Sequence, residues 1–149
     1  MVQCEFPECT TFGAVIRFAL ELEKGAVAVY DELSGDPRLS AGAETFKALA
    51  AAHKKRSDLL EYARREKLNE MIQEPIQDLS SKQYIPNLAI PKDPDLKAAA
   101  KFASAMEDKS ASFYGDMSRI AKNLLSEAAR IMDKMSKENL ANKTKLEAL

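Results

Sequence analysis

The chain has 149 residues, of which 46% are hydrophobic and 30% charged, with 22 Lys+Arg against 23 Asp+Glu. That is enough apolar material for one domain with a core of its own, and it excludes a disordered chain. The near-zero net charge excludes nucleic-acid binding by bulk electrostatics, and no apolar run approaches the roughly 18 residues of a membrane span.

Residues 1–10 form an N-terminal arm. The opening MVQCEFPECTTFG has no basic segment followed by an apolar core, so no secretory signal is expected and the expected location is the cytoplasm. Cys4 and Cys9 are too few for a four-sulfur metal site and read as inert thiols in a reducing compartment.

Helical periodicity then runs almost unbroken, with no stretch of alternating β-branched residues. A first helix is predicted from about Thr11 to Leu33, stopped by SGDPRLS (34–40), where Gly35 and Pro37 punctuate the chain. A second runs from about Ala41 to Met71. A third starts at Asp93-Pro94-Asp95, with Asp93 read as the N-cap and Pro94 as the first helical residue, and continues to about Arg119. A fourth fills most of 126–147, starting at Ser126-Glu127. Between the second and third lies a crossover, 72–93, carrying Pro75, Pro86 and Pro91. About 20 extended residues reach roughly 66 Å, more than the roughly 42 Å of a helix of about 28 residues. The crossover can therefore travel the length of the second helix and let the third run parallel to it. The short 34–40 loop makes the first two antiparallel. Ile85, Pro86, Leu88 and Ile90 are expected to pin the crossover to the helices. The expectation is an all-α, four-helix bundle in one domain, 1–149.

An internal repeat marks its centre. FALELEKGAVAVYDELS (18–34) and FASAMEDKSASFYGDMS (102–118) align without gaps, placing Glu23 over Glu107 and Tyr30 over Tyr114. Glu and Tyr are seven apart in both copies, close to two turns, so they share a face, and that face is otherwise apolar. The second and fourth helices repeat more weakly, with His53 over Asn139 and Arg56 over Asn142. His53, the only histidine, and Arg56 follow Leu49 on the core stripe. Buried charges need partners, so the expected network joins Glu23, His53, Arg56, Glu107, Asn139 and Asn142, with the hydroxyls of Tyr30 and Tyr114 in support. A second register of the fourth helix would bring Glu127-x-x-Arg130 opposite the site. It leaves about 20 residues from Glu107, too few to finish the third helix, turn and return to mid-height.

The repeated E-x6-Y, the long crossover, and F-x2-L-A-x5-R at Phe46–Arg56 resemble the rubrerythrin-like branch of the ferritin-like superfamily, which has F-x2-L-A-x2-E-x2-H there. The resemblance covers about residues 12–149. It implies a ferritin-like bundle, with one long crossover between helices two and three, around two iron ions held by six side chains. It also implies iron-oxidising or peroxide-reducing chemistry and a homodimer. Carried over position by position, Glu23 and Glu107 match. The second Glu-x-x-His pair is His53 and Arg56 here, the fourth-helix pair is Asn139 and Asn142, and a further carboxylate position is Ser110. Arginine has no lone pair to give a metal. The expected function is accordingly a bundle with a degenerate di-iron site and no cofactor, in a structural, sensing or partner-binding role, with an unidentified protein partner and no nucleic acid or membrane. The alternative is an iron-dependent oxidoreductase using Glu23, His53 and Glu107 as a partial metal site.

Overall fold

The computed structural model describes residues 4–9, 11–66, 80–122 and 126–149. Four α-helices carry the fold: α1, Phe12–Ser34; α2, Ala43–Glu66; α3, Leu96–Ala121; and α4, Ser126–Glu147. Short 3₁₀ helices, Pro37–Gly42 and Ser81–Tyr84, lie in the connections. The expected end of the second helix at Met71 and the first part of the crossover, 72–79, lie outside the described residues.

Local chemistry sets the helix ends. The Thr11 hydroxyl accepts from the Ala14 amide at 3.1 Å and caps α1, satisfying one of the donors that a helix start leaves open. Asp36 accepts from the Arg38 amide at 2.9 Å and opens the 3₁₀ turn that leads into α2. At α3 the expected cap is corrected. Asp95, not Asp93, is the N-cap, accepting from the Ala98 amide at 2.7 Å, and Leu96 is the first helical residue. Asp93 has φ 49°, the left-handed region that Asp tolerates, whereas an N-cap needs extended backbone. Its carboxylate instead accepts from the Arg38 guanidinium, tying the first turn to the start of α3.

Two apolar clusters give the helix directions. One gathers Phe12–Leu22 of α1, Leu60 and Ala63 of α2, Phe113–Ala121 of α3 and Ala128–Met135 of α4. The other gathers Ala26–Leu33, Phe46–Ala50, Ala99–Met106 and Leu146. α1 and α2 are therefore antiparallel, α3 and α4 are antiparallel, and α2 runs parallel to α3. α1 packs on α2 and α3 on α4, an arrangement consistent with a four-helix bundle. Burying each large apolar side chain in such clusters contributes about 1.5–3 kcal/mol over leaving it in water.

Parallel α2 and α3 oblige the intervening chain to return along the helices, and its described part does so. Tyr84 belongs to the first cluster and donates its hydroxyl to Asp116, while Leu88 and Ile90 pack against the second. A side chain on Gly25 would stand 2.9 Å from Leu88 Cδ1, so glycine lets the returning chain lie directly on α1. A side chain on Gly42 would stand 2.7 Å from Leu96 Cδ1 and 3.0 Å from Phe46 Cε2, so glycine leaves room for the Leu96 side chain where the starts of α2 and α3 meet. Tyr84 and Pro86 are buried, Leu88 and Ile90 half-buried, and Ile85, Asn87 and Ala89 exposed. Ile85 thus does not pin the crossover. Extended chain alternates its faces, and the even positions took the inside.

Candidate functional site

Between the two apolar clusters lies a layer of ionised and polar side chains, one or more from each helix. Glu23, His53, Glu107 and Asn139 are at most 1% exposed, Arg56 4% and Asn142 7%. The imidazole of His53 sits between the carboxylates. Nδ1 is 2.6 Å from Glu23 Oε1 and Nε2 is 2.7 Å from Glu107 Oε2. A neutral imidazole donates from one nitrogen only, so two carboxylate partners call for the doubly protonated cation. Burial works against that charge, but Glu23 and Glu107 outweigh it and raise His53 to about 9. Burial alone would likewise push both carboxyls up. The His53 cation, joined at Glu23 by Arg56, outweighs it and holds both below the ordinary carboxylate value. Two anions therefore face two cations.

The remaining partners divide by helix. On Glu23, Oε2 accepts from the Tyr114 hydroxyl at 2.5 Å and lies 3.3 Å from Arg56 Nη2. On Glu107, Oε2 accepts from the Tyr30 hydroxyl at 2.8 Å, and Oε1 accepts from the amides of Asn139 at 2.8 Å and Asn142 at 3.1 Å. Arg56 Nη2 also donates to Asn139 Oδ1 at 2.9 Å, closing the ring of contacts. The guanidinium lies over the Tyr114 ring, 5.2 Å from its centroid, while the His53 ring stacks on Tyr30 at 5.5 Å. Arg56 Nε and Nη1 have no hydrogen-bond partner among the described residues. Burial, followed by the neighbouring carboxylates, pushes both tyrosines well above their usual value, so they serve as neutral donors.

All eight residues singled out in the sequence thus meet. The tyrosines cross over: each donates to the glutamate of the other repeat, not to its own. The signal for this was available. Side chains on a helix lean toward its N-terminus, so a tyrosine two turns beyond its own glutamate leans back into the layer, where the antiparallel helix presents the other carboxylate. Ser110 is buried, while Glu127 and Arg130 are exposed, so the register that puts Asn139 and Asn142 in the layer is the one adopted. Burial also raises Cys4 and Cys9 to about 11, with Glu21 adding to the effect at Cys4, so both thiols stay protonated at neutral pH.

A di-iron centre fits this donor set poorly. Of the six ligand positions that the resemblance to rubrerythrins implies, two hold carboxylates, and a third holds an imidazole whose two nitrogens already serve those carboxylates. A guanidinium stands where positive charge would have to enter. Among the described residues, no three of His, Cys, Asp and Glu converge in a way that could hold a metal ion, and no helix is long and apolar enough to cross a membrane. Among the described residues, fold and layer together define an all-helical arrangement of four α-helices with an ion-paired centre. No family model matches the chain, and no significant match was found among curated proteins or solved structures.

Proposed function

We propose that this protein is a rubrerythrin-like, ferritin-like bundle in which cationic side chains stand in for the metal ions, and that its role is structural, sensing or partner-binding rather than catalytic. The observation that carries the reading is the placement of His53 between Glu23 and Glu107, with Arg56 beside Glu23. Charge that two metal ions would supply comes from an imidazolium and a guanidinium, and the carboxylates remain compensated without cofactor. The reading takes the protein as cytoplasmic and homodimeric. The test is metal content. Protein purified without chelator from iron-supplemented cells is expected to hold well under one iron per chain, and two metal ions per chain in the native mass spectrum would overturn the reading.

The second reading, an iron-dependent oxidoreductase or iron- and peroxide-handling protein, draws on Glu23, His53 and Glu107 sharing one layer. It requires His53 to lose a proton and give up one carboxylate before any ion can be bound. A single iron per chain, lost in a His53→Gln variant, would favour it.

A further inference from the structure

We propose that the cleft between α2 and α4 binds a medium-chain aliphatic carboxylate, with its charged head on Lys145 and Thr45 and its tail running along α2 to Asn142. The chain of residues 80–92 lies against α1 and α3: Leu88 meets α1 at Gly25, and Lys109 of α3 donates to the Gln83 carbonyl at 3.1 Å. Between α2 and α4, by contrast, is a cleft of about 440 Å³. Short side chains make it: Ala48 and Ala52 of α2 and Ala148 of α4 stand round the buried Leu49. Apolar walls, this size and a few convergent polar groups are the form of a small-molecule site.

Three polar side chains reach the cleft. Lys145 is the one charged residue among those that line it, and its ammonium makes no ion pair among the described residues. The Thr45 hydroxyl likewise has no hydrogen-bond partner among them. Asn142 is 7% exposed and donates its amide to Glu107 Oε1 at 3.1 Å. Glu44, Lys55 and Glu138 are exposed and lie outside the lining, where water screens them. An occupant therefore needs an anionic head for Lys145 and Thr45 and an apolar body for the alanine walls. From Thr45 to Ala52 α2 rises about 10 Å, the length of an extended chain of about eight carbons. A peptide fits less well. The walls are helix faces without a row of open backbone groups, so an extended peptide would leave its amides unpaired, whereas an alkyl chain has none. The tail ends on Asn142, one hydrogen bond from Glu107, so an occupant touches the central layer. The inference gives the proposed sensing role a ligand class; it rests on that reading for the role, but not for the binding.

The experiment is isothermal titration calorimetry of the full chain with octanoate. Sub-millimolar binding at one site per chain is expected, with hexanoate about tenfold weaker, at up to about fourfold for each methylene lost. Ala52→Leu fills the cleft and is expected to weaken octanoate at least about tenfold. Lys145→Glu is expected to weaken it roughly tenfold and to create binding of octylammonium, which the wild type lacks. Both positions are exposed, so helix content by circular dichroism should be unchanged. A second cleft across α4 carries Lys97, Lys101 and Glu147. Octanoate binding that ignores Ala52→Leu would place the site there or elsewhere and overturn the proposal. No binding at millimolar octanoate, or equal affinity for octanoate and octylammonium, would overturn it too. Metal content of the same sample reports separately on the proposed function: octanoate binding by a protein with two metal ions per chain would sink that function and leave this site standing.

Discussion

α1 and α3 bring the same pair of residues to the central layer, whereas α2 and α4 do not match each other. From α1 come Glu23 and Tyr30, and from α3 Glu107 and Tyr114, related by a crossed set of hydrogen bonds. Both cations come from α2, and α4 contributes only the neutral amides of Asn139 and Asn142. A near-symmetric pair of anions is thus served by an asymmetric pair of helices. The glutamate of α1 is compensated by two cations, while the glutamate of α3 has one cation and two amides. The symmetry that survives lies in the side chains that carry the negative charge, and the divergence lies in those that answer it. If that is so, the layer should be far more sensitive to changes on α2 than to matched changes on α1 and α3.

The largest effect is expected at His53. His53→Leu leaves two buried carboxylates with one guanidinium, and losing one member of a buried charge set costs about 3–5 kcal/mol. Arg56→Leu is expected to follow closely, while Lys54→Ala, an exposed neighbour, should stay within about 0.5 kcal/mol. Urea unfolding of the three variants measures this. Equal midpoints would show that α2 does not carry the compensating charge.

The next effect is pH dependence. His53 binds its proton more tightly in the folded protein, so the stability it contributes is complete below about 6.5 and is lost as pH rises through about 9. Glu23 and Glu107 are shifted the other way. Their contribution is complete above about 4.5 and is lost as pH falls below it. Unfolding free energy should therefore be greatest between these limits and decline by the order of 3 kcal/mol on the alkaline side, at about 1.4 kcal/mol for each tenfold change in proton affinity. His53→Leu should flatten the alkaline limb. A stability that climbs from pH 7 to pH 9 would contradict an imidazolium between the carboxylates.

The smallest effect sharpens the symmetric half of the comparison. Tyr30→Phe and Tyr114→Phe each remove one hydrogen bond to a carboxylate that keeps its other partners, at a cost of about 1.5 kcal/mol. The two losses should agree within about 0.5 kcal/mol. A larger difference, read from thermal unfolding at one pH, would show that the repeat is symmetric in geometry but not in energy.

Much of this layer was legible in the residues. Glu23 and Glu107 break an apolar stripe in two copies of one pattern, and a buried charge is costly enough that repeated charges imply partners. His53 and Arg56 lie on the buried row of α2, and superposing the second and fourth helices found Asn139 and Asn142. Less legible were features set by backbone conformation. Nothing in Asp93-Pro94-Asp95 says which aspartate caps α3 until Asp93 takes a positive φ, and nothing in the crossover says which alternate residues face inward until Tyr84 and Pro86 do.

The sequence by itself determined four helices, the face each one buries and the eight polar residues that share a level. Periodicity and the cost of burying charge act through the chain's own chemistry. Only the tertiary structure decided who meets whom. The tyrosines cross between repeats, the imidazole sits between the carboxylates, and Arg56 divides its contacts between Glu23 and Asn139. A helix specifies a face and a height, but the rotation and separation of four packed helices set the ångströms that distinguish an ion pair from a set of metal ligands.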